Sequence, residues 1–345
     1  MTERIASTYL TPDSESALYR SLRDFWHPVM YAADLTDKPV GVRLLDEPVV
    51  VARLGRKVSA FRDLCVHRGA ALSLGWLEQG KLRCAYHGWT YGDDGRCVEV
   101  PARPDLPIPP GACLTRYQAV ESAGLIWVCL GTPRYEVPPF PEFTDSAYRI
   151  LTGPSYDWKI SSFRRLENFV DMAHFAWVHP GVLGSREHAE VTDHEVWRDG
   201  RDLRFEHTVK EPSSGEIKEQ LGITDAVFDV LNSYHLSMPL SIHLTRNFPN
   251  GAHYVVFMTS SPLSQRECRN FWFVARDYAL DERHDEGFMN FEHLVLSQDK
   301  PIIESLRPEE IPMDLTREMY IRVADKITVE YRRWLLEFAR EEGTS

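Results

Sequence analysis

The residues best able to do chemistry crowd one stretch, Arg165-Leu166-Glu167-Asn168-Phe169-Val170-Asp171-Met172-Ala173-His174-Phe175-Ala176-Trp177-Val178-His179-Pro180. With no Gly or Pro before position 180, it reads as a helix. Asn168, Asp171 and His174 then fall at i, i+3 and i+6, near one face, with Glu167 beside them. His179 lies five residues past His174, which in a regular helix points it away from that face. The residue before a proline is pushed out of the α region, so the helix should end or bend at His179-Pro180 and bring both imidazoles to one point. Two convergent His with a carboxylate from elsewhere make the facial triad of a non-haem iron(II) site. The plainer alternative is an amphipathic core helix with incidental His residues, although polar groups on an apolar, aromatic-rich helix are costly unless used.

A second set of donors lies upstream: Cys65-Val66-His67-Arg68-Gly69, then Cys84-Ala85-Tyr86-His87-Gly88-Trp89. This is C-x-H followed by C-x-x-H, two short loops each offering a thiolate and an imidazole. Such a set can hold a [2Fe–2S] cluster in which Cys65 and Cys84 bind one iron and His67 and His87 the other. Gly69 and Gly88 let backbone N–H groups approach the cluster sulfurs. A structural zinc site uses the same four ligand types and stays open at this point. Cys97, Cys113, Cys129 and Cys268 have no partner spacing and read as small core residues.

The elements that must position these groups follow from periodicity. Ala17–Trp26 reads as a short helix after a polar tail over residues 1–15. Val42–Leu45, Val49–Leu54 and Val58–Leu64 read as strands, as does the segment around Trp127. The Pro-rich Thr132–Phe143 is the natural boundary, dividing the chain into residues 1–135 (core about 25–131) and 136–345. Beyond it, Val191–Trp197, Asp202–Val209, Tyr234–Pro239, Ile242–Thr245, His253–Ser260 and Asn270–Arg276 suggest an antiparallel sheet. Asp281–Gln298 reads as a helix stopping at Asp299-Lys300-Pro301. Residues 315–340 carry a last amphipathic helix with Ile321, Ile327, Tyr331, Trp334, Leu335 and Phe338 inward.

Asp299 is the candidate carboxylate for the His pair, since a bare carboxylate ending an apolar helix needs a partner such as a metal. An exposed aspartate at a helix end is the alternative. Glu292 precedes Asp299 by seven residues and shares its face, with Val295 and Leu296 between them. It would sit two turns, roughly 10 Å, from the ligand, placed to grip the far end of a small substrate. If it faces the pocket ionised, a substrate with an amine or N–H donor satisfies it and a neutral ether does not. The alternative is a Glu paired with a Lys or Arg at the rim.

Together these motifs resemble the Rieske non-haem iron oxygenases. The flanking H-R-G and Y-H-G-W, the N-x-x-D-x-x-H-x(4)-H of Asn168–His179 and the segment Gln298-Asp299-Lys300-Pro301-Ile302-Ile303-Glu304-Ser305 all fit that family. The likeness runs from Phe25-Trp26-His27-Pro28-Val29 to Ala324-Asp325-Lys326 and points to the methylxanthine N-demethylases, then the vanillate and dicamba O-demethylases. It implies an α+β chain, with an all-β Rieske [2Fe–2S] domain followed by a helix-grip catalytic domain built on an antiparallel sheet. It also implies a mononuclear Fe(II) held by His174, His179 and Asp299, O2 as co-substrate, and a head-to-tail homotrimer. Asp171 would bridge His174 of one chain to His87 of the next. Asn168 would lie near the iron, as a weak ligand or as a donor to bound oxygen. The reaction implied is oxidation of a small-molecule C–H bond, as N- or O-demethylation, and the Glu292 reading ranks N-demethylation ahead. Hydroxylation or oxidative cyclisation is the rival outcome within the class. A Rieske electron carrier without its own catalytic iron and a zinc-stapled interaction protein are rivals from other classes.

Electrons should come from a separate reductase, because no dinucleotide G-x-G-x-x-G follows a strand and no plant-type ferredoxin cysteine set is present. NAD(P)H then enters only indirectly. The net charge of −12 argues against nucleic acid. Met1-Thr2-Glu3-Arg4 leads into no apolar run, and Leu125–Leu130 is too short to span a bilayer. No membrane association and a cytoplasmic location are the expectations.

Overall fold

Val50, Ala52 and Leu54 alternate along β3 (Glu47–Leu54) and pack with Phe61 of β4 (Lys57–Arg62). The hairpin between them turns at Gly55, whose φ of +65° favours a residue without Cβ. In the computed structural model, which describes residues 12–212 and 219–342, this hairpin belongs to a unit formed by residues 22–137 and 261–264. The unit holds an antiparallel six-stranded sheet. Its other strands are β1 (His27–Tyr31), β2 (Val40–Leu44), β9 (Arg116–Ser122) and β10 (Leu125–Cys129), in the order β1-β10-β9-β4-β3-β2. A four-stranded sheet of β5 (Trp76–Glu78), β6 (Lys81–Arg83), β7 (Thr90–Tyr91) and β8 (Cys97–Glu99) completes it. Trp127 is fully buried in β10, as expected. Cys113 is exposed, not a core residue; it lies in an isolated bridge to Arg96 beyond the sheet strands.

The second unit comprises residues 12–21, 138–260 and 265–342 among those described. Its antiparallel sheet contains β11 (Arg149–Thr152), β12 (Tyr156–Trp158), β13 (Val196–Asp199), β14 (Asp202–Pro212), β15 (Val227–Ser237), β16 (Ser241–Asn247), β17 (His253–Ser264) and β18 (Glu267–Arg276). Phe228, Val230, Asn232, Tyr234 and Leu236 alternate as the buried face of β15. The helices that accompany the sheet include α1 (Pro12–Ser21), α2 (Ser162–Val170), α3 (Phe175–Val178), α4 (Asp285–Ile303) and α5 (Lys326–Glu342). Strands in one unit and sheet plus helices in the other make the chain α+β.

Several local expectations change. Of the polar tail over 1–15, residues 1–11 lie outside the described residues and 12–15 open α1. That helix packs along α5, so it joins the second unit and not the first domain of the sequence reading. The segment 191–195 is not strand; β13 starts at Val196. The last helix begins at Lys326 rather than 315, and Ile321 is 68% exposed, while Ile327, Tyr331, Trp334, Leu335 and Phe338 are buried. Helix α4 does not stop at Asp299 but runs through Pro301 to Ile303. Proline removes only the bond to the Ser297 carbonyl, and Ser297 is an exposed residue, so the final turn survives.

Helix α4 is held at both ends. Arg149 grips Asp285 through Nε and a terminal nitrogen at 2.7 and 2.6 Å, and Arg276 donates to the same carboxylate at 2.6 Å. The Arg149 bonds, against a burial penalty and with help from Arg276, push the Asp285 carboxyl down to about 2. At the other end Ile303 packs with Trp158, Ile160 and Cys268, and Leu296 joins that cluster.

Candidate iron centre, cavity and cluster loops

Helix α2 opens on Ser161, whose hydroxyl accepts the Arg164 N–H. It ends earlier than its composition predicts. Asp171 leaves the helix with ψ 123°, and its Oδ1 accepts the Ala173 N–H at 2.8 Å. Asp has a short acceptor that competes with the helical ladder, and here it wins. A new short helix, α3, then starts after His174 and closes at His179, which has φ −117° and ψ 46° before Pro180. The bend expected at His179 is present, but the break at Asp171 is an additional one. Asn168, Asp171 and His174 therefore do not share one helical face. Glu167 is not beside the His pair: it forms ion pairs with Arg332 and Arg164 inside a buried network that includes Glu318.

The two breaks bring three donors together. Asp299 Oδ1 lies 3.1 Å from His179 Nε2 and 3.5 Å from His174 Nε2. One ligand atom from each of His174, His179 and Asp299 falls within 4.8 Å of the others. Their outer nitrogens are also addressed. Gln298 Oε1 sits 2.8 Å from His179 Nδ1 and accepts its proton, so that Nε2, which here faces Asp299, is the nitrogen that would bind a metal. Asp171 Oδ2 lies 3.3 Å from His174 Nδ1, although the pair is not aligned as a hydrogen bond and this buried nitrogen has no other partner. Burial pushes the Asp299 carboxyl up, but the His179 bond and the nearby charges of Arg165 and the imidazoles outweigh it, so it titrates below its ordinary range. Two imidazole nitrogens and an ionised carboxylate, converging at a cavity wall, fit a ferrous facial triad.

Asn168 is next to this triad but presents the wrong atom for ligation. Its Oδ1 accepts from Arg165 at 2.7 Å, and its Nδ2 donates to Asp299 Oδ1 at 3.2 Å.

A cavity open to solvent lies against the triad. Phe291, Glu292, Val295, Leu296 and Asp299 of α4 all line it. Glu292 accepts the Tyr254 hydroxyl proton at 2.7 Å, not a bond from a rim Lys or Arg. Burial pushes its carboxyl up, partly countered by that bond and by Arg246 and Arg165. The sheet explains why these groups meet. His207, Asn232, Arg246 and Tyr254 are successive cross-strand partners on β14 to β17. This row delivers Arg246 and Tyr254 to the cavity, where Arg246 pairs with Glu211. Gln298, Arg165, Tyr254 and Arg246 were not singled out from sequence. Only Gln298 carried a usable signal, as the helical neighbour of Asp299.

In the other unit, Cys65 and Cys84 sit in two loops of the same design. Gly69 N–H bonds the Cys65 carbonyl and Cys65 N–H the Ala70 carbonyl, both at 2.8 Å. Gly88 N–H bonds the Cys84 carbonyl at 3.0 Å, and Cys84 N–H the Trp89 carbonyl at 2.9 Å. Gly69 and Gly88 both have φ near +70° (72° and 70°), a region that penalises other residues. The thiols are buried, and Tyr91 places its hydroxyl 3.0 Å from Cys65 Sγ. Burial, with Cys65 alongside, raises the Cys84 thiol. The imidazoles lie outward: His67 and His87 face each other with Nδ1 atoms 3.1 Å apart, and His87 is exposed. Buried thiols in one pair and outward-lying imidazoles in another fit a cluster with chemically distinct irons.

Residues 25–110 match the Rieske [2Fe-2S] domain family, and residues 162–341 match the vanillate O-demethylase oxygenase C-terminal domain family. The methylxanthine N1-demethylase NdmA of Pseudomonas putida is 37% identical over 334 residues, covering 94% of this chain and 91% of the relative. The methylxanthine N3-demethylase NdmB of the same organism is 34% identical, covering 96% and 92%. The structure of Pseudomonas putida CBB5 NdmA with caffeine superposes with a TM-score of 0.82 at 35% identity, covering 94% of this chain and 93% of that one. Dicamba monooxygenase bound to dicamba, at 21% identity and a TM-score of 0.80, shares the fold. A Rieske domain joined to an oxygenase domain, with full-length relatives on both sides, sets aside the zinc-stapled and carrier readings: this chain belongs to the Rieske non-haem iron oxygenases.

Proposed function

We propose that this oxygenase oxidatively removes a methyl group from a small nitrogen-containing molecule, N-demethylation ranking ahead of O-demethylation. The observation that carries the proposal is the meeting of the His174–His179–Asp299 triad with Glu292 in one cavity. Overall, an N-methyl amine, O2, two electrons and two protons give the N–H amine, formaldehyde and water. His174, His179 and Asp299 would hold the mononuclear iron; Cys65, Cys84, His67 and His87 would hold the Rieske cluster. Bound there, iron would supply reductive activation of O2 and insertion of one of its oxygen atoms into a C–H bond, the other leaving as water.

The chain's own residues do the rest. Gln298 fixes the tautomer of His179 through Nδ1. The apolar walls, among them Phe291, Val295 and Leu296, exclude water and present the methyl group, while Glu292 accepts a donor from the far end of the substrate. Asp171 approaches His174 Nδ1 and keeps a third of its side chain exposed (35%). In a head-to-tail homotrimer that open side reaches His87 of the partner subunit, giving the electron a hydrogen-bonded route between centres. A separate reductase in the cytoplasm provides the electrons. Among the described residues no helix is long and apolar enough to cross a membrane.

The test is aerobic turnover with a surrogate reductase and a panel of N-methyl and O-methyl compounds. Formaldehyde in step with N-methyl consumption is expected. Hydroxylated product without formaldehyde across the panel would overturn demethylation and leave the oxygenase assignment standing.

A further inference from the structure

Arg165 precedes Asn168 by one helical turn on α2, and its guanidinium is anchored from three directions. One terminal nitrogen donates to Asn168 Oδ1 at 2.7 Å; Nε and the other terminal nitrogen share the Tyr156 hydroxyl oxygen at 3.0 and 2.9 Å. The guanidinium carbon lies 4.7 Å from the centre of the Trp158 ring. Arg165 is 3% exposed, Asn168 6% and Asp299 5%.

This contact decides which way the Asn168 amide points. A guanidinium has only donors, so the Asn168 atom against it must be the carbonyl oxygen. The NH2 is then the group left to face Asp299, where it donates to Oδ1 at 3.2 Å. Oδ1 is also the oxygen closest to the two imidazoles. An amide free to turn over would instead set a carbonyl oxygen against the carboxylate, or offer it to a cation. Lysine could not do the same work, because a single ammonium cannot bridge Tyr156 and Asn168 in a fixed fork.

We propose that Arg165 is a positioning residue: by holding the Asn168 carbonyl oxygen it forces the amide NH2 onto Asp299 and keeps that carboxylate aimed at His174 and His179. Arg165 also withholds the Asn168 oxygen from the metal, so Asn168 supports a ligand and is not one. The proposal rests on the reading of His174, His179 and Asp299 as iron ligands.

The experiment measures ferrous iron affinity by chelator competition on the full-length protein with its visible cluster spectrum intact. Wild type is compared with Arg165→Lys, Arg165→Met, Asn168→Ala, the Arg165→Met/Asn168→Ala double variant and Asp299→Ala. Loss of an outer partner typically costs 10- to 100-fold in metal affinity, so a fall of about that size is expected in both Arg165 variants. The double variant should bind iron no more weakly than Asn168→Ala alone, because Arg165 acts through Asn168. A merely structural role for Arg165 would give additive losses. Wild-type affinity in both Arg165 variants, or additive losses in the double variant, overturns the proposal. Should Arg165→Met not fold, Arg165→Lys alone and with Asn168→Ala carries the same comparison. Wild-type affinity in Asp299→Ala would instead show that the ligand reading has failed, and the proposal with it.

Discussion

Glu292 is where recognition of the substrate can be separated from chemistry at the metal. It lines the cavity on the same helix face as Asp299, and its polar contact within the protein is the Tyr254 hydroxyl at 2.7 Å. The second carboxylate lone pairs are therefore available to a donor on the substrate. A hydrogen bond to a charged group contributes about 1.5–3 kcal/mol, and 1.4 kcal/mol is a factor of about ten, so losing it should lower kcat/KM roughly 10- to 150-fold. Glu292→Gln keeps an oxygen for Tyr254 but loses the charge, and should fall near the lower end. Glu292→Ala also strands the Tyr254 hydroxyl and should fall further. The pH dependence has a fixed sign. Burial raises the Glu292 carboxyl above its ordinary value, so the substrate-accepting form is fully present above that raised pKa and is lost as pH falls through it. In the wild type, kcat/KM for an N–H-bearing substrate should drop on the acid side, and Glu292→Gln should lack that limb. The assay is steady-state formaldehyde release with saturating reductase. Unchanged kcat/KM in both variants would remove Glu292 from the site and the preference for nitrogen with it.

Asp171→Asn should leave the cluster and the mononuclear iron loaded yet abolish productive oxidation, measured as formaldehyde per electron delivered. If transfer crosses subunits, mixing His87→Ala chains with Asp299→Ala chains should restore some turnover, and verified mixed trimers with none would argue against it. Asp285→Asn removes the anchor of α4 to Arg149 and Arg276. A carboxyl depressed from 3.8 to about 2 contributes roughly 2 kcal/mol of stability. That contribution is full above the unfolded value near 4 and lost as pH falls toward 2, so thermal melts of wild type and variant should differ at pH 7 and converge in acid.

The candidate metal-binding residues were legible because their donors come in short, chemically unusual spacings: Cys65 with His67, Cys84 with His87, His174 with His179. Asp299 was legible as a carboxylate on an apolar helix, although the helix runs on past it to Ile303, and Glu292 through the seven-residue step that places both on one face. What periodicity could not show was competition from partners remote in sequence. Glu167 has the spacing of a site residue, but Arg332, 165 positions away, holds it in a buried ion pair. The Asp171 break depends on one side-chain acceptor overriding a ladder that the stretch otherwise favours. Pro301 looked like a stop, yet the helix needed to lose only one bond near its end. Asn168 does lie beside Asp299, but its orientation follows from Arg165, which is itself held by Tyr156 and Trp158 of a strand.

The central claim is that His174, His179 and Asp299 hold a catalytic iron distinct from the cluster, and metal analysis of Asp299→Ala tests it most directly. Wild type, with a two-iron cluster and one mononuclear site, should carry about three irons per chain. The variant should carry about two, keep its visible cluster spectrum and release no formaldehyde. An Asp299→Ala protein that retains the third iron and full turnover would contradict the account.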